Sequence, residues 1–204
     1  MPSKWSNRFE IKAGRWVYVP TSEARREGIE IKRCIAARWH PPEYYYHLRK
    51  GGHVAAIQSH LGNSHFIRFD IQDSFGSINR TRVTRCLKPL VPYSEARAWA
   101  NSSTVRDPVF KGKTHLPYGF VQSQMLASIC LYRSALGTYL HRIHGKNGVV
   151  VCVYVDDVIV SACDVDELKV IYSQIQVASA RSRLKLSQDK APRPLRRCPP
   201  LTSF

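Results

Sequence analysis

Two adjacent carboxylates, Asp156 and Asp157, stand between two strongly apolar, β-branched runs of the chain. The flanking runs, residues 149–153 and 158–160, are typical of two buried strands joined by a tight turn. Adjacent carboxylates in a site poor in water repel each other and need a counter-charge, most simply a divalent cation with oxygen ligands. The pattern therefore favours a metal site, although an Asp-Asp turn is more often a solvated hairpin tip.

A segment further upstream supplies a third carboxylate. Residues 65–70 predict a strand that ends at Asp70, followed by a short connection and a helix over about residues 79–90. An Asp at the carboxyl end of a strand is well placed for a site at the edge of the sheet, where it can join the pair. Three carboxylates from two strands suit two Mg²⁺ ions, with Mn²⁺ as an alternative, that stabilise the attacking and leaving oxygens of a phosphoryl transfer.

Four short motifs occur in a fixed order along the chain. They are Phe-Asp-Ile-x-x-x-Phe at 69–75, Leu-Pro-x-Gly at 116–119, Tyr-x-Asp-Asp at 154–157 and Leu-x-Leu-x-x-x-Lys at 184–190. In these motifs the chain resembles prokaryotic reverse transcriptases of the retron, group II intron and defence-associated type. Each motif alone is a weak signal, whereas four in the same order are a strong one.

The resemblance implies a role for each motif residue. Asp70, Asp156 and Asp157 are expected to be catalytic metal ligands, and the Ile71 carbonyl is expected to complete the metal shell. Lys190 is expected to protonate or hold the leaving pyrophosphate, although a lone Lys before a Pro-rich tail is otherwise unremarkable.

The resemblance also implies how a nucleotide is bound. Phe75 stands five positions after Asp70, where such enzymes place an aromatic ring against the sugar C2′ position; its alternative role is ordinary core packing. The backbone N–H groups of Asp73 and Ser74 are expected to contact the triphosphate.

The second motif departs from the usual Leu-Pro-Gln-Gly form of the family. Tyr118 stands at the third position, where it can stack on a base or cap a core helix, and Gly119 allows close backbone approach. Apolar residues from Val121 to Leu140 keep helical spacing and predict one long helix.

The resemblance predicts an α+β fold, a right-hand polymerase palm whose antiparallel sheet is backed by helices, with N-terminal fingers. We expect fingers at 1–63, a palm at 64–190 and an irregular, basic, Pro-rich tail at 191–204, without a thumb, so that the chain reads as truncated or frameshifted. In the fingers, residues 22–39 predict a helix interrupted near Gly28, and residues 44–53 mix tyrosines with basic residues in a way that suits stacking on bases. Candidate triphosphate or template contacts are Arg25, Arg26, Arg49 and Lys50.

Composition agrees with a nucleic-acid partner. The 204 residues include 31 Lys and Arg against 15 Asp and Glu, a net charge of +16 that suits phosphate binding, although an evenly solvated basic surface is the alternative. The six cysteines form no C-x-x-C pair, which favours reduced thiols, and the histidines at 47, 53, 60 and 65 fit no common zinc pattern. The sequence has no apolar stretch of about 20 residues and no apolar signal core, so we expect a cytoplasmic protein without a membrane partner.

The expected activity is that of an RNA-directed DNA polymerase, in which a 3′-hydroxyl or a priming protein hydroxyl attacks the α-phosphate of a dNTP. The expected partners are an RNA template, a DNA primer or product, dNTPs and, as an option, a noncoding RNA, in either antiviral defence or retroelement mobility. The main alternative is a truncated, inactive remnant that only binds nucleic acid. A nucleotide cyclase, another two-metal palm enzyme, is disfavoured by the ordered motifs.

Overall fold

The computed structural model describes residues 3–107 and 112–187. The chain divides into two compact units, each made of two stretches: Met1–Pro41 with Asp73–Arg133, and Pro42–Gln72 with Ser134–Phe204. This is a different division from fingers at 1–63 and palm at 64–190, which remains a prediction. Lys190 and the tail at 191–204 lie outside the described residues.

The described residues form both strands and helices. The strands are β1 (Trp5–Lys12), β2 (Arg15–Pro20), β3 (His65–Gln72), β4 (Val105–Arg106), β5 (Thr114–His115), β6 (Val150–Tyr154), β7 (Asp157–Ala162) and β8 (Lys185–Leu186). The helices are α1 (Ser22–Ala36), α2 (Gly52–Gln58), α3 (Arg80–Leu87), α4 (Tyr93–Ser102), α5 (Ser123–Tyr132), α6 (Ala135–Ile143) and α7 (Val165–Ser182). Short 3₁₀ turns lie at Tyr46–Leu48 and Lys146–Gly148.

The second unit contains a four-stranded sheet in the order β6-β7-β3-β8, in which every neighbouring pair is antiparallel. The β-branched residues that predicted strands β6 and β7 form its core, since Val151, Val153, Val158 and Val160 are all fully buried. β-branched side chains pack well on a pleated surface, which explains why these runs become strands. The predicted α+β fold with an antiparallel sheet is confirmed.

Helix α7 backs this sheet and contacts β3 and β7. Its start is fixed by Asp164, whose carboxylate accepts a hydrogen bond from the Asp166 amide at 2.8 Å. The apolar spacing predicts a buried stripe made of Val165, Leu168, Ile171, Tyr172 and Ile175. Leu168, Ile171 and Ile175 are buried, whereas Val165 is 40% exposed and Tyr172 is half-buried. The helix ends at Arg183, which has a φ of +53°, and the chain then enters β8.

The first unit contains the β1–β2 hairpin, the small β4–β5 pair and helices α1, α3, α4 and α5. The predicted interruption of α1 at Gly28 is wrong, because the helix is continuous from Ser22 to Ala36. Gly28 is instead a close-packing position, since a Cβ atom there would lie 2.3 Å from Oε1 of Gln122 and 2.9 Å from the Val121 side chain.

The predicted long helix after Gly119 is two helices, α5 and α6. The break falls at Ser134, whose hydroxyl accepts a hydrogen bond from the Gly137 amide at 3.1 Å and begins α6. The same point is a boundary between the two units. Among the described residues, no helix is long and apolar enough to cross a membrane.

Candidate active site

The Tyr-x-Asp-Asp motif forms the hairpin between β6 and β7. Tyr154 and Asp157 are the last paired residues, so Val155 and Asp156 make a two-residue loop. Val155 has a φ of +60°, a left-handed conformation that is unfavourable for a β-branched residue and that such turns usually assign to Gly. The Ile71 amide donates a hydrogen bond to the Asp156 carbonyl at 3.0 Å, which ties the loop to the end of β3.

The register of the sheet brings the three predicted carboxylates together. Asp70 on β3 lies directly opposite Asp157 on β7, and the Ser187 amide donates to the Asp70 carbonyl at 2.8 Å. One carboxylate oxygen from each of Asp70, Asp156 and Asp157 lies within 4.8 Å of the others, and all three residues are half-buried. Like charges at directly opposite positions destabilise a sheet, so a positive counter-charge stabilises this arrangement.

The donor set of this cluster fits a divalent metal ion. Three carboxylates supply only hard oxygen ligands, which Mg²⁺ and Mn²⁺ prefer. Ile71, the predicted source of a carbonyl ligand, follows Asp70 in the chain and contacts the loop through its amide. The ligand role of its carbonyl remains a prediction.

Sequence reasoning missed Arg68 as a member of this site. Its guanidinium donates from Nε and Nη2 to Oδ1 of Asp157, at 3.2 and 3.0 Å. Arg68 stands two residues before Asp70, so both side chains lie on the same face of β3. This alternation is the signal that could have identified it.

The predicted nucleotide-binding residues Phe75 and Tyr118 both belong to the first unit, where they pack together. Their rings stack with centroids 4.6 Å apart and an interplanar angle of 29°. Phe75 is buried, with 8% of its surface exposed, and the Arg15 guanidinium lies 5.0 Å from the centroid of the Tyr118 ring. Core packing of Phe75 is therefore observed, and its role in sugar selection remains a prediction.

Gly119 is required by the backbone of the first unit. It has a φ of +100°, and a Cβ atom there would lie 2.2 Å from the Tyr18 carbonyl oxygen. The Tyr18 amide donates to the Tyr118 carbonyl at 2.9 Å, which joins this motif to β2. The glycine thus permits the backbone of this motif to approach β2 closely. Contact between Gly119 and a nucleotide remains a prediction.

Asp73 and Ser74 form a tight loop in the first unit. Asp73 has a φ of +45°, and its carbonyl accepts a hydrogen bond from the Ser77 amide at 2.9 Å. Although the residue as a whole is exposed, loss of hydration raises the pKa of its carboxyl, and a hydrogen bond from the Gly76 backbone opposes this rise. Ser74 is buried and its carbonyl accepts from the Ser77 hydroxyl at 2.9 Å.

The predicted basic contacts fall in different units. Arg25 and Arg26 are exposed on α1 of the first unit, whereas Arg49 and Lys50 are exposed in the second. Arg49 donates to the Glu43 carbonyl at 2.7 Å and lies 5.1 Å from the centroid of the Tyr46 ring.

The expectation that the tyrosines of residues 44–53 stack on bases is wrong. Tyr44, Tyr45 and Tyr46 are 1%, 1% and 7% exposed, so they belong to the core of the second unit. A mixture of aromatic and basic residues in sequence does not show which side chains face the solvent.

Comparisons with known proteins agree with the fold. Residues 29–193 match the family described as reverse transcriptase (RNA-dependent DNA polymerase). The chain therefore belongs to the reverse transcriptase family, as its ordered motifs predicted. No curated protein matches the chain significantly.

Two solved structures similar to this chain are telomerases. One, from Candida albicans in complex with a TWJ fragment of telomeric RNA, is 10% identical, with a TM-score of 0.51 over 89% of this chain and 34% of that chain. The other, apo telomerase from Candida tropicalis truncated from its C-terminal domain, is 11% identical, with a TM-score of 0.46 over 85% of this chain and 35% of that chain. The chain thus spans about a third of the length of these proteins, and the first match supports the fold.

Proposed function

We propose that this domain catalyses RNA-directed DNA synthesis, adding dNTPs to a 3′-hydroxyl with release of pyrophosphate. The observation that carries the proposal is the cluster of Asp70, Asp156 and Asp157, whose carboxylate oxygens lie within 4.8 Å of one another at the end of a buried antiparallel sheet. Membership of the reverse transcriptase family supports the same chemistry. The prokaryotic subtype and the choice between defence and mobility remain predictions.

The three carboxylates are the proposed ligands of two Mg²⁺ ions, with Mn²⁺ as a substitute. When bound, such ions stabilise the charge that develops on the attacking and leaving oxygens. The chain's own contribution is to fix the carboxylates, through the pairing of Asp70 with Asp157 and the hydrogen bond from Ile71 to the Asp156 carbonyl. Carboxylates fixed before substrate arrives need no reorganisation during the reaction.

The proposed substrates and partners are dNTPs, an RNA template and a DNA primer or product. A net charge of +16 favours a partner with phosphates. Phe75 is the proposed barrier to ribonucleotides, and the loop at Asp73 and Ser74 is the proposed triphosphate contact. Lys190, Arg25, Arg26, Arg49 and Lys50 remain candidate phosphate contacts, and an associated noncoding RNA is an optional partner.

Primer extension by the full chain, with Mg²⁺ or Mn²⁺, tests this proposal. Asp156→Asn should reduce the rate of nucleotide addition about 10³-fold or more, because it removes an anionic ligand and leaves the shape of the side chain. Asp166→Asn is the matched control, since Asp166 is an exposed carboxylate of α7 that pairs with Lys169 and the substitution changes the charge equally. The control should extend primers at the wild-type rate.

Two results would overturn the proposal. One is extension by Asp156→Asn at the rate of Asp166→Asn. The other is a folded wild-type chain that binds primer and template but adds no nucleotide with either metal, which is the behaviour of an inactive nucleic-acid-binding remnant.

A further inference from the structure

A short segment before α2 runs beside β6, the strand that leads into the loop formed by Val155 and Asp156, here called the catalytic loop. The Val153 amide donates to the Tyr44 carbonyl at 2.8 Å, and Tyr45 forms a parallel bridge with Val153. Both tyrosines are buried, with 1% of their surface exposed. The segment is therefore anchored to β6 one residue before Tyr154, and its next turn carries His47.

His47 contacts the backbone of the catalytic loop itself. The Val155 amide donates to Nδ1 of His47 at 3.0 Å, and the imidazole ring packs edge-on against Tyr154, with centroids 5.9 Å apart at 67°. Nδ1 also lies 3.3 Å from the Val153 carbonyl. Since an amide N–H can only donate, the shorter contact requires an unprotonated Nδ1, and the neutral ring then carries its proton on Nε2.

This hydrogen bond falls on the least favourable residue of the loop. Val155 has a φ of +60°, which a β-branched residue adopts only where its surroundings enforce it. Burial lowers the pKa of His47 to about 4, so the ring is neutral at pH 7 and its Nδ1 remains an acceptor. The residue after Val155 is Asp156, a proposed metal ligand.

We propose that His47 is a positioning residue for the catalytic loop: its Nδ1 holds the Val155 amide and thereby fixes the direction of the Asp156 and Asp157 carboxylates. It acts through the backbone and touches neither substrate nor metal. Its effect on the reaction rests on the proposed polymerase function, whereas its effect on the loop does not. The alternative is that His47 only fills space in the core.

The first test compares two amides at position 47. The Asn side-chain oxygen is as many bonds from Cα as Nδ1 is, so His47→Asn retains the acceptor; the Gln oxygen is one bond further, as Nε2 is, so His47→Gln displaces it. We expect His47→Gln and His47→Ala to lower kcat about 10²-fold, because a small misplacement of reacting groups has effects of this size. His47→Asn should stay within about fivefold of the wild type. The KM for dNTP should change little, and the half-saturating metal concentration should rise in the Gln and Ala variants.

The second test is a double-mutant cycle with Val155→Gly. Glycine adopts positive φ without strain, so the loop of this variant needs its anchor less. We expect His47→Ala to lower kcat less than tenfold in the Val155→Gly background, against about 10²-fold alone. Equal losses in the two backgrounds would show that His47 does not act through the conformation of Val155.

The third test does not depend on catalysis. Hydrogen exchange of the Val155 amide, measured by NMR on the full chain, should be slow in the wild type and in His47→Asn and at least tenfold faster in His47→Gln and His47→Ala. The wild-type ring should show the ¹⁵N shifts of the Nε2–H tautomer at pH 7, a result that needs no variant to fold. If the wild-type chain has no polymerase activity but shows this protection and tautomer, the proposed function fails and the anchoring role stands. A protonated Nδ1, or equal exchange in all four proteins, would overturn the inference.

Discussion

The carboxylate cluster of the second unit and the aromatic pair of the first unit are built in opposite ways. Asp70, Asp156 and Asp157 are half-buried, repel one another and are fixed by strand register and backbone hydrogen bonds. Phe75 and Tyr118 are aromatic neighbours whose rings stack with centroids 4.6 Å apart. The carboxylate cluster thus lowers the stability of the fold, whereas the aromatic pair raises it. A substitution in the carboxylate cluster should therefore lower activity without lowering stability, whereas a substitution in the aromatic pair should lower stability.

The largest effect is expected at Asp70, with activity and stability moving in opposite directions. Asp70→Asn should lower nucleotide addition about 10³-fold, because a proposed metal ligand is lost. In EDTA, where no metal is bound, the free energy of unfolding of the same variant should be higher by roughly 0.5 kcal/mol, because a carboxylate at position 70 no longer faces Asp157. Urea unfolding would measure this difference. A stability below that of the wild type in EDTA would show that repulsion between Asp70 and Asp157 does not destabilise the sheet.

Phe75→Ala should destabilise the chain strongly. Removal of a buried aromatic side chain costs about 3–5 kcal/mol, which denaturant unfolding would measure. If Phe75 also selects the sugar, the ratio of ribonucleotide to deoxynucleotide addition should rise in the surviving folded fraction. Phe75→Leu is the control, because it retains most of the apolar volume. Loss of stability with an unchanged ratio would reduce Phe75 to core packing.

The stability of the second unit should depend on pH through His47 and His60. His60 is buried with Nδ1 2.6 Å from the Ser161 hydroxyl, and burial lowers the pKa of each histidine from 6.5 to about 4. Between these values the unfolded chain binds protons that the folded chain does not. The free energy of unfolding should therefore have its full value above pH 6.5. As the pH drops from 6.5 toward 4, it should fall by about 1.4 kcal/mol per pH unit for each histidine.

Urea unfolding at several pH values would measure this slope. His60→Asn should halve the slope of the free energy of unfolding against pH, because only His47 then contributes to it. A free energy of unfolding that is flat between pH 6.5 and 4.5 would show that both rings remain accessible to protons in the folded state.

The smallest effect is expected at Arg68. Its ion pair with Asp157 is largely exposed and contributes little to stability. Its positive charge does compete with a metal ion for Asp157, so Arg68→Ala should lower the half-saturating Mg²⁺ concentration about two- to threefold. Arg68→Lys retains the charge and should behave like the wild type. If both variants shift alike, the geometry of the guanidinium matters more than its charge.

The elements that sequence predicted well are those whose signal is local. Continuous β-branched residues on both sides of Asp156 and Asp157 identify β6 and β7, and the Asp164 cap with its apolar stripe identifies α7. The break at Ser134 was missed because apolar spacing continues across it and only the capping hydroxyl marks it. Strand β1 is missed because three consecutive polar residues, at 6–8, interrupt its apolar alternation and because the strand buries little surface.

The parts of the site that sequence could not predict depend on distant partners. His47 contacts Val155 across a separation of 108 residues, and nothing near His47 indicates it. Glycine disfavours helices, so Gly28 in sequence predicts a helix interruption. Its packing against Gln122 depends on tertiary structure, which local sequence does not show. The burial of Tyr44, Tyr45 and Tyr46 likewise depends on the sheet beside them.

The interleaved order of the two units sets a schedule for folding during synthesis. Strand β3 emerges from the ribosome early, but both of its neighbours, β7 and β8, are made later, beginning at Asp157. Translation at about 5–20 residues per second leaves β3 without a partner for roughly 4–18 s. During this interval its two edges are available to other chains, and a pairing of such high contact order closes slowly once the partners arrive. The register that assembles the three carboxylates is therefore one of the last features of the chain to form.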